Sequence, residues 1–259
     1  MNHDEAGENP LEVVEANLQG PLAMVPFRLF KTDACFQVAN DIFSGATYPV
    51  VPFVANVNTI LDVGANIGAA SVYLATAYPQ AQVYAVEPGC LSLSLLRQNT
   101  EPFSNIRVFP VGLYSSEETS VLFPGKNDGV ESSICSTART TDQGEPIHLV
   151  RASHFLSQQG ITAVDILKVD TEGCEVPILK SLIEYLPEIK VLYVEYHSER
   201  DRRMIDEMLA ETHILWSGHI KFAYRGEFCY VKRELVPDEN QTHSCEIPPH
   251  WTEREPSCL

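Results

Sequence analysis

Basic residues are scarce in this chain. Its 259 residues include 18 Lys and Arg against 35 Asp and Glu, a formal charge of −17. A nucleic-acid substrate needs a basic footprint for its phosphates, and no Lys/Arg run supplies one. Long apolar runs are also missing, since none approaches the roughly 18–20 residues that span a bilayer. The opening MNHDEAGENP is acidic and polar, unlike a signal peptide. The seven cysteines (Cys35, Cys90, Cys135, Cys174, Cys229, Cys245 and Cys258) are scattered, odd in number and without C-x-x-C spacing. That pattern suits a reducing, cytoplasmic setting better than a disulfide framework or a zinc site. No internal repeat is present, and the length fits one α/β domain with extensions.

What is there is organised around residues 59–88, TILDVGANIGAASVYLATAYPQAQVYAVEP. Thr59 to Val63 is a short apolar run, as a central parallel strand would be. Gly64 and Gly68 frame a turn where a missing Cβ lets a ligand approach the backbone. Ala69, Val72, Tyr73 and Thr76 then recur at helical spacing, predicting an amphipathic helix. Gln82 to Val86 is the next strand, with Glu87 and Pro88 at its carboxyl end. In an open α/β sheet, ligands bind outside the carboxyl strand ends, and an acid after the second strand accepts ribose hydroxyls. A dinucleotide enzyme would show G-x-G-x-x-G to cradle pyrophosphate. Here the middle glycine is absent and Asp62 precedes the turn, which suits an ammonium group better than an anion. A ribose beside an amino-acid cation, without phosphate, describes S-adenosylmethionine (SAM).

Residues 1–56 read as an N-terminal arm or cap, with 1–20 a loose arm or short helix and short strands between Leu22 and Phe36. Tyr48, in the Gly45–Pro49 segment before the first core strand, is a candidate wall of the cofactor pocket or an aromatic packing a loop. The core spans 57–233. A helix through Leu91, Leu95, Leu96 and Asn99 precedes a strand at Asn105–Val111, and a loop opens at Gly112-Leu113-Tyr114, where Leu113 offers apolar surface to an adenine ring. Residues 112–150 read as an insertion of short extended pieces on the substrate side. His148 lies there, as a candidate base or a structural histidine. A strand at Val164–Val169 runs into Asp170-Thr171-Glu172-Gly173-Cys174-Glu175, and a helix with Val176, Leu179, Leu182, Ile183 and Leu186 on one face follows. The next strand, Lys190–Glu195, ends in Tyr196-His197. After a helix at Asp201–Glu211, Ile214–Trp216 and Phe222–Val231 form an antiparallel pair, with Gly226 at a turn or bulge. Residues 234–259 read as an irregular tail.

Methyl transfer to oxygen needs an in-line approach and removal of the hydroxyl proton. The strand ends offer Asp170, Glu172, Glu195 and His197 for this. Asp170, Glu195 and His197 could also hold a divalent cation such as magnesium, or the acids could cap helices and bind water. Lys168 shares a strand face with Asp170, as a desolvated base or in an ion pair with Asp170 or Glu175. Cys90 and Cys174 have no activating base beside them.

The segments ILDVGANIGAASVYLA, VEP with Asn99 downstream, and DILKVDTEGCEVPILKSL resemble the FkbM-type SAM-dependent methyltransferases over roughly residues 57–197. The resemblance implies a seven-stranded Rossmann-like α/β sheet with helices on both faces, and methyl transfer to a hydroxyl. It places Asp62, Gly64, Asn66, Gly68 and Glu87 in the SAM site. Asp170, Glu172, Gly173 and Glu175 fall on the second motif, whose individual roles stay open. No N/D-P-P-Y/F follows the fourth strand, which speaks against nitrogen acceptors. Relatives act on sugars, glycan termini and polyketide-type compounds. A carbohydrate acceptor suits the acidic rim; a polyketide acceptor and a catalytically silent SAM- or nucleotide-binding protein are the alternatives. A homo-oligomer is compatible with the sequence.

Overall fold

The computed structural model describes residues 11–124, 132–133 and 144–237. The first ten residues, Cys135, Cys245, Cys258 and the tail expected over 234–259, apart from its first four residues, lie outside the described residues.

An antiparallel hairpin is formed by β1 (Val13–Gln19), where a loose arm or short helix was expected, and β2 (Met24–Phe30), one of the short strands expected between Leu22 and Phe36. The reason is a period of two hidden in a polar stretch. Val14, Ala16 and Leu18 pack against the core while Glu15, Asn17 and Gln19 alternate with them. Helix α1 (Asp33–Phe43) follows, its first turn capped by the Thr32 hydroxyl, which accepts from the Cys35 amide. Its buried residues Cys35, Ala39, Ile42 and Phe43 recur at helical spacing.

The core alternates strand and helix: β3 (Thr59–Val63), α2 (Ala69–Ala77), β4 (Gln82–Val86), α3 (Cys90–Thr100) and β5 (Ile106–Phe109). An added sheet comes next, made of β6 (Gly112–Tyr114), β7 (Glu118–Pro124), β8 (Ser132–Ser133) and β9 (Glu145–Arg151), in the order β6-β9-β7-β8. The core resumes with α4 (Ala152–Gln158), β10 (Ile166–Val169), α5 (Glu175–Ser181), β11 (Val191–Tyr196) and α6 (Glu199–Leu209). It closes with β12 (His213–Phe222) and β13 (Arg225–Lys232). Together these give a seven-stranded sheet in the order β12-β13-β11-β10-β3-β4-β5, parallel except for β13. Alternate residues feed opposite layers. Ile60, Val83, Ile166 and Val191 join the core under α1 and α2, whereas Leu61, Val63, Leu167, Leu192 and Val194 face the layer of α4, α5 and α6. The expected doubly wound α/β sheet is present.

Three local readings change, and a fourth is narrowed. Helix α2 is buried from Ala69 through Ala75 and is not amphipathic, because α1 covers its outer side. Gly112–Tyr114 pairs with β9 as a strand, not a loop. Helix α5 ends at Ser181, so Ile183 is exposed. Gly226 lies at the expected irregularity and not in the turn itself: it pairs with Tyr196 on one side and Ile220 on the other, where the β12–β13 register shifts between Ile220 and Phe222. A Cβ there would lie 2.6 Å from the His219 carbonyl oxygen and 2.8 Å from the Tyr196 hydroxyl.

Strand order reverses at β3, whose neighbours β4 and β10 are reached by crossovers in opposite directions. The crevice at the carboxyl ends of β3 and β10 is therefore the switch point where ligands settle in such sheets. Buried Asn99 on α3 fixes one wall of it. Its Nδ2 donates to the carbonyls of Arg28 and Ile67 (both 2.8 Å), and its Oδ1 accepts from the Arg28 amide at 2.8 Å. Asn99→Ala strips three partners at once and is expected to cost about 2–3 kcal/mol, measured by urea denaturation. A midpoint equal to wild type would show that water replaces the amide.

A candidate active site at the carboxyl strand ends

The site begins with a buried ion pair. Asp62 on β3 and Lys168 on β10 are register partners pointing to one face, with Nζ 3.1 Å from Oδ1. Asp62 Oδ2 also accepts from the Ser71 hydroxyl of α2 at 2.5 Å. Lys168 donates to the Gly64 carbonyl at 2.5 Å, so the ammonium that neutralises Asp62 also holds the glycine turn. Burial opposes its charge, but Asp62, Asp170 and Glu87 outweigh that and raise its pKa. The sequence reading put Lys168 with Asp170 or Glu175; the partner is Asp62. Asp62 is fully buried and absent from the cavity lining, so it does not meet a ligand ammonium directly as expected.

The turn leaves β3 at Gly64 (φ +78°), where a Cβ would stand 1.8 Å from the Asp170 carbonyl oxygen. Only glycine permits that approach. Gly68 (φ +95°) meets Leu96 of α3 and does not line the cavity. Glu87, at the end of β4, has both carboxylate oxygens held by main chain. Oε2 accepts from the Asn66 amide at 2.9 Å and Oε1 from the Gly89 amide at 2.8 Å. Burial lifts its pKa to about 7 against these bonds.

These groups border a cavity of about 360 Å³, within the range of small-molecule sites. Gly64, Asn66, Glu87, Pro88, Leu113, Tyr48, Asp170, Glu172 and Glu195 all line it. Leu122, Ile147 and Leu149 of the added sheet extend the apolar wall that Leu113 begins. The sheet is tied down by Glu145, whose carboxylate accepts from the Cys90 amide at the start of α3. His148 is exposed and absent from the lining, on the face of β9 opposite Ile147 and Leu149, so the general-base position expected of it is not formed. On the other side stands α1, with Cys35, Val38, Ala39 and Ile42.

The floor is a charge cluster. Tyr48 donates to Asp170 Oδ2 at 3.2 Å, and Glu195 hydrogen-bonds Asp170. Burial resists ionisation of Asp170, yet Lys168, the Glu195 bond and nearby His197 and Arg225 hold its pKa below the ordinary range. Burial and the Asp170 charge push Glu195 to about 8, so the pair carries a shared proton near neutrality. Arg225 spans the rim, with Nε 2.6 Å from Glu195 Oε1 and Nη2 3.0 Å from Glu172 Oε1. Glu175 accepts from the Thr171 and Gly173 amides (2.9 and 3.0 Å), which folds the Asp170–Glu175 loop into shape with Glu172 at φ +54°.

Donor atoms of Asp170, Glu172, Glu195 and His197 lie within 4.8 Å of one another. The donor set nevertheless does not fit the expected magnesium. His197 Nε2 is 2.9 Å from Glu172 and Nδ1 3.3 Å from Glu175, and these acids lift its pKa to about 11 although burial opposes the charge. With both ring nitrogens turned to carboxylates of the Asp170–Glu175 loop, His197 presents neither of them to the cavity in this arrangement. Arg225 and Lys221 already supply the remaining positive charge. Sequence reasoning missed these two hairpin cations, whose spacing carries no signal until β12 and β13 fold beside β11.

A family model described as "Methyltransferase FkbM domain" matches residues 62–215. Methyltransferase sdnD of Sordaria araneosa is 30% identical over 59% of this chain and 66% of its own. The 2-O-methyltransferase NoeI of Sinorhizobium fredii is 23% identical over 54% of this chain and 63% of its own. The hexuronic acid methyltransferase AglP of Haloferax volcanii is 25% identical over 60% and 62%. The chain thus spans a little under two thirds of the length of these relatives.

Removing one partner of the buried pair strands the other. Lys168→Met alone should cost about 3–5 kcal/mol, whereas Asp62→Asn with Lys168→Met should recover most of it in a double-mutant cycle. Additive losses would mean the two charges are stabilised separately.

Proposed function

The chain belongs to the FkbM methyltransferase family, and from that premise we propose that it is a SAM-dependent O-methyltransferase acting on a hydroxyl of a sugar, glycan or related small molecule. The observation that carries the cofactor assignment is Glu87. It is a buried carboxylate whose oxygens are each fixed by one amide, leaving lone pairs for two ribose hydroxyls. The Gly64 turn admits a ligand against the backbone, and Pro88, Leu113, Leu122, Ile147 and Leu149 offer apolar walls to an adenine ring. SAM would supply the electrophilic methyl group.

The chain's own residues do the rest. Asp170, the ionised member of the pair, is the proton acceptor for the hydroxyl, while Glu195 keeps the proton it already holds and moderates the charge through its hydrogen bond. Tyr48 fixes Asp170 Oδ2. Glu172, Glu175, His197 and Arg225 are positioning residues that hold the loop and its charge, and no step passes through a metal. The names of NoeI, a 2-O-methyltransferase, and AglP, a hexuronic acid methyltransferase, support an oxygen acceptor and a uronic acid respectively. An apolar, polyketide-type acceptor is the second reading, favoured by the apolar α1 wall.

Two outcomes test this reading. S-adenosylhomocysteine (SAH) titrated calorimetrically should bind more tightly as pH rises from 6 to 8, because the hydroxyls favour the ionised Glu87, which forms above about 7. Glu87→Gln should weaken binding roughly 10- to 100-fold and flatten the profile; pH-independent wild-type binding would remove Glu87 from the ribose. Asp170→Asn should bind SAH nearly as wild type but lose roughly 10²–10⁴-fold in turnover, followed as labelled methyl transfer from SAM to a panel of glycosides. Full turnover would exclude Asp170 as the base.

A further inference from the structure

The β12–β13 hairpin reaches the cavity through Lys221, Phe222, Arg225 and Glu227, and Tyr224 stands against Phe222 just outside the lining. Phe222 and Tyr224 are 59% and 61% exposed, and their rings stack on each other at 5.8 Å and 14°. Two large aromatic faces left in water at one point mark a contact surface. Neighbours on a regular strand point to opposite faces, yet Lys221 and Phe222 both line the cavity. The β12–β13 register shifts between Ile220 and Phe222, and this irregularity re-aims the side chains, as bulges beside active sites do. The hairpin is also anchored to the site floor. Lys221 pairs with Glu227 at 2.5 Å and approaches Glu195 at 3.6 Å, and Arg225 bridges Glu195 and Glu172.

We propose that the Phe222–Tyr224 stack is the platform on which the methyl acceptor rests, and that the acceptor part lying on it is a saturated, polyhydroxylated ring, a pyranose. This rests on the reading of the cavity as a methyltransferase site and names its acceptor side. The negative face of an aromatic ring attracts C–H groups polarised by neighbouring oxygens, which a pyranose presents in a flat array. The platform is rimmed by Lys221, Glu227 and Arg225, groups already locked in ion pairs. A wholly apolar acceptor would strip water from them without return, whereas ring hydroxyls replace that water with hydrogen bonds. The hairpin fixes which hydroxyl turns inward toward Asp170.

The test uses the full chain saturated with SAH. Saturation-transfer NMR is recorded with methyl glycopyranosides of neutral sugars and of a uronic acid, and with cyclohexanol as an apolar ring of similar size. Expected is transfer to the ring C–H protons of at least one glycoside and none to cyclohexanol. Phe222→Ala and Tyr224→Ala should cut it about five-fold or more, Phe222→Trp should retain it, and Tyr224→Ala should leave SAH affinity within about two-fold. Equal transfer in both alanine variants, transfer to cyclohexanol as strong as to the glycosides, or no transfer to any glycoside overturns the platform while SAH binding leaves the methyltransferase reading standing. Absence of SAH binding by the wild type overturns both.

Discussion

The Asp62–Lys168 ion pair is the contact on which the rest of the site depends. Two opposite charges lie out of water on adjacent central strands, and neither is stable there alone. Because Lys168 also holds the Gly64 carbonyl, the turn's shape is fixed by an electrostatic requirement of the core. The position of Asp170 follows, since its carbonyl occupies the space a Gly64 side chain would fill. A conformational constraint in the turn and a charge constraint in the sheet are thus one device.

The same logic governs the floor of the cavity. Asp170, Glu172, Glu175 and Glu195 crowd together in a chain already strongly acidic. Their mutual repulsion is relieved in three ways: a shared proton between Asp170 and Glu195, an imidazolium at His197, and the cations Lys221 and Arg225. The proton is the least firmly held of these. Its place beside the cavity, with the fixed cations behind it, is what supports the proposed role of Asp170 as the base.

The fold was largely legible because parallel strands buried on both faces are short apolar runs, as at Thr59–Val63 and Val164–Val169. Strand β1 was not, because Glu15 and Asn17 mask the alternation of Val14, Ala16 and Leu18. Gly64, Asn66 and Glu87 line the cavity close to where their motif puts them, because the glycine turn and the end of β4 fold together locally; Tyr48 reaches it only through a partner 122 positions away, Asp170. Asp62, His148 and His197 were harder. Whether an acid at a strand end faces a ligand or a lysine depends on the register of β10 against β3, 106 positions away in the Lys168–Asp62 pairing. His148 turns outward through the pairing of β9 with β7 and β6, which no local pattern encodes. His197 presents two nitrogens to two carboxylates contributed by a loop 22 to 25 residues earlier.

Strand order also divides the chain's labour along its length. The wall proposed for the cofactor is drawn from β3, β4 and the segments up to β9, whereas the hairpin at the opposite sheet edge is made of the last two strands. Between them stand β10 and β11, which carry Asp170 and Glu195. On the proposed reading, recognition of the methyl donor and recognition of its recipient are encoded in separate stretches of sequence that meet at one pair of carboxyl groups. Descent with modification can revise the closing hairpin while the opening glycine turn and its ion pair stay untouched. If the proposed division holds, a scaffold arranged in this way can change what it modifies without relearning how it holds the donor.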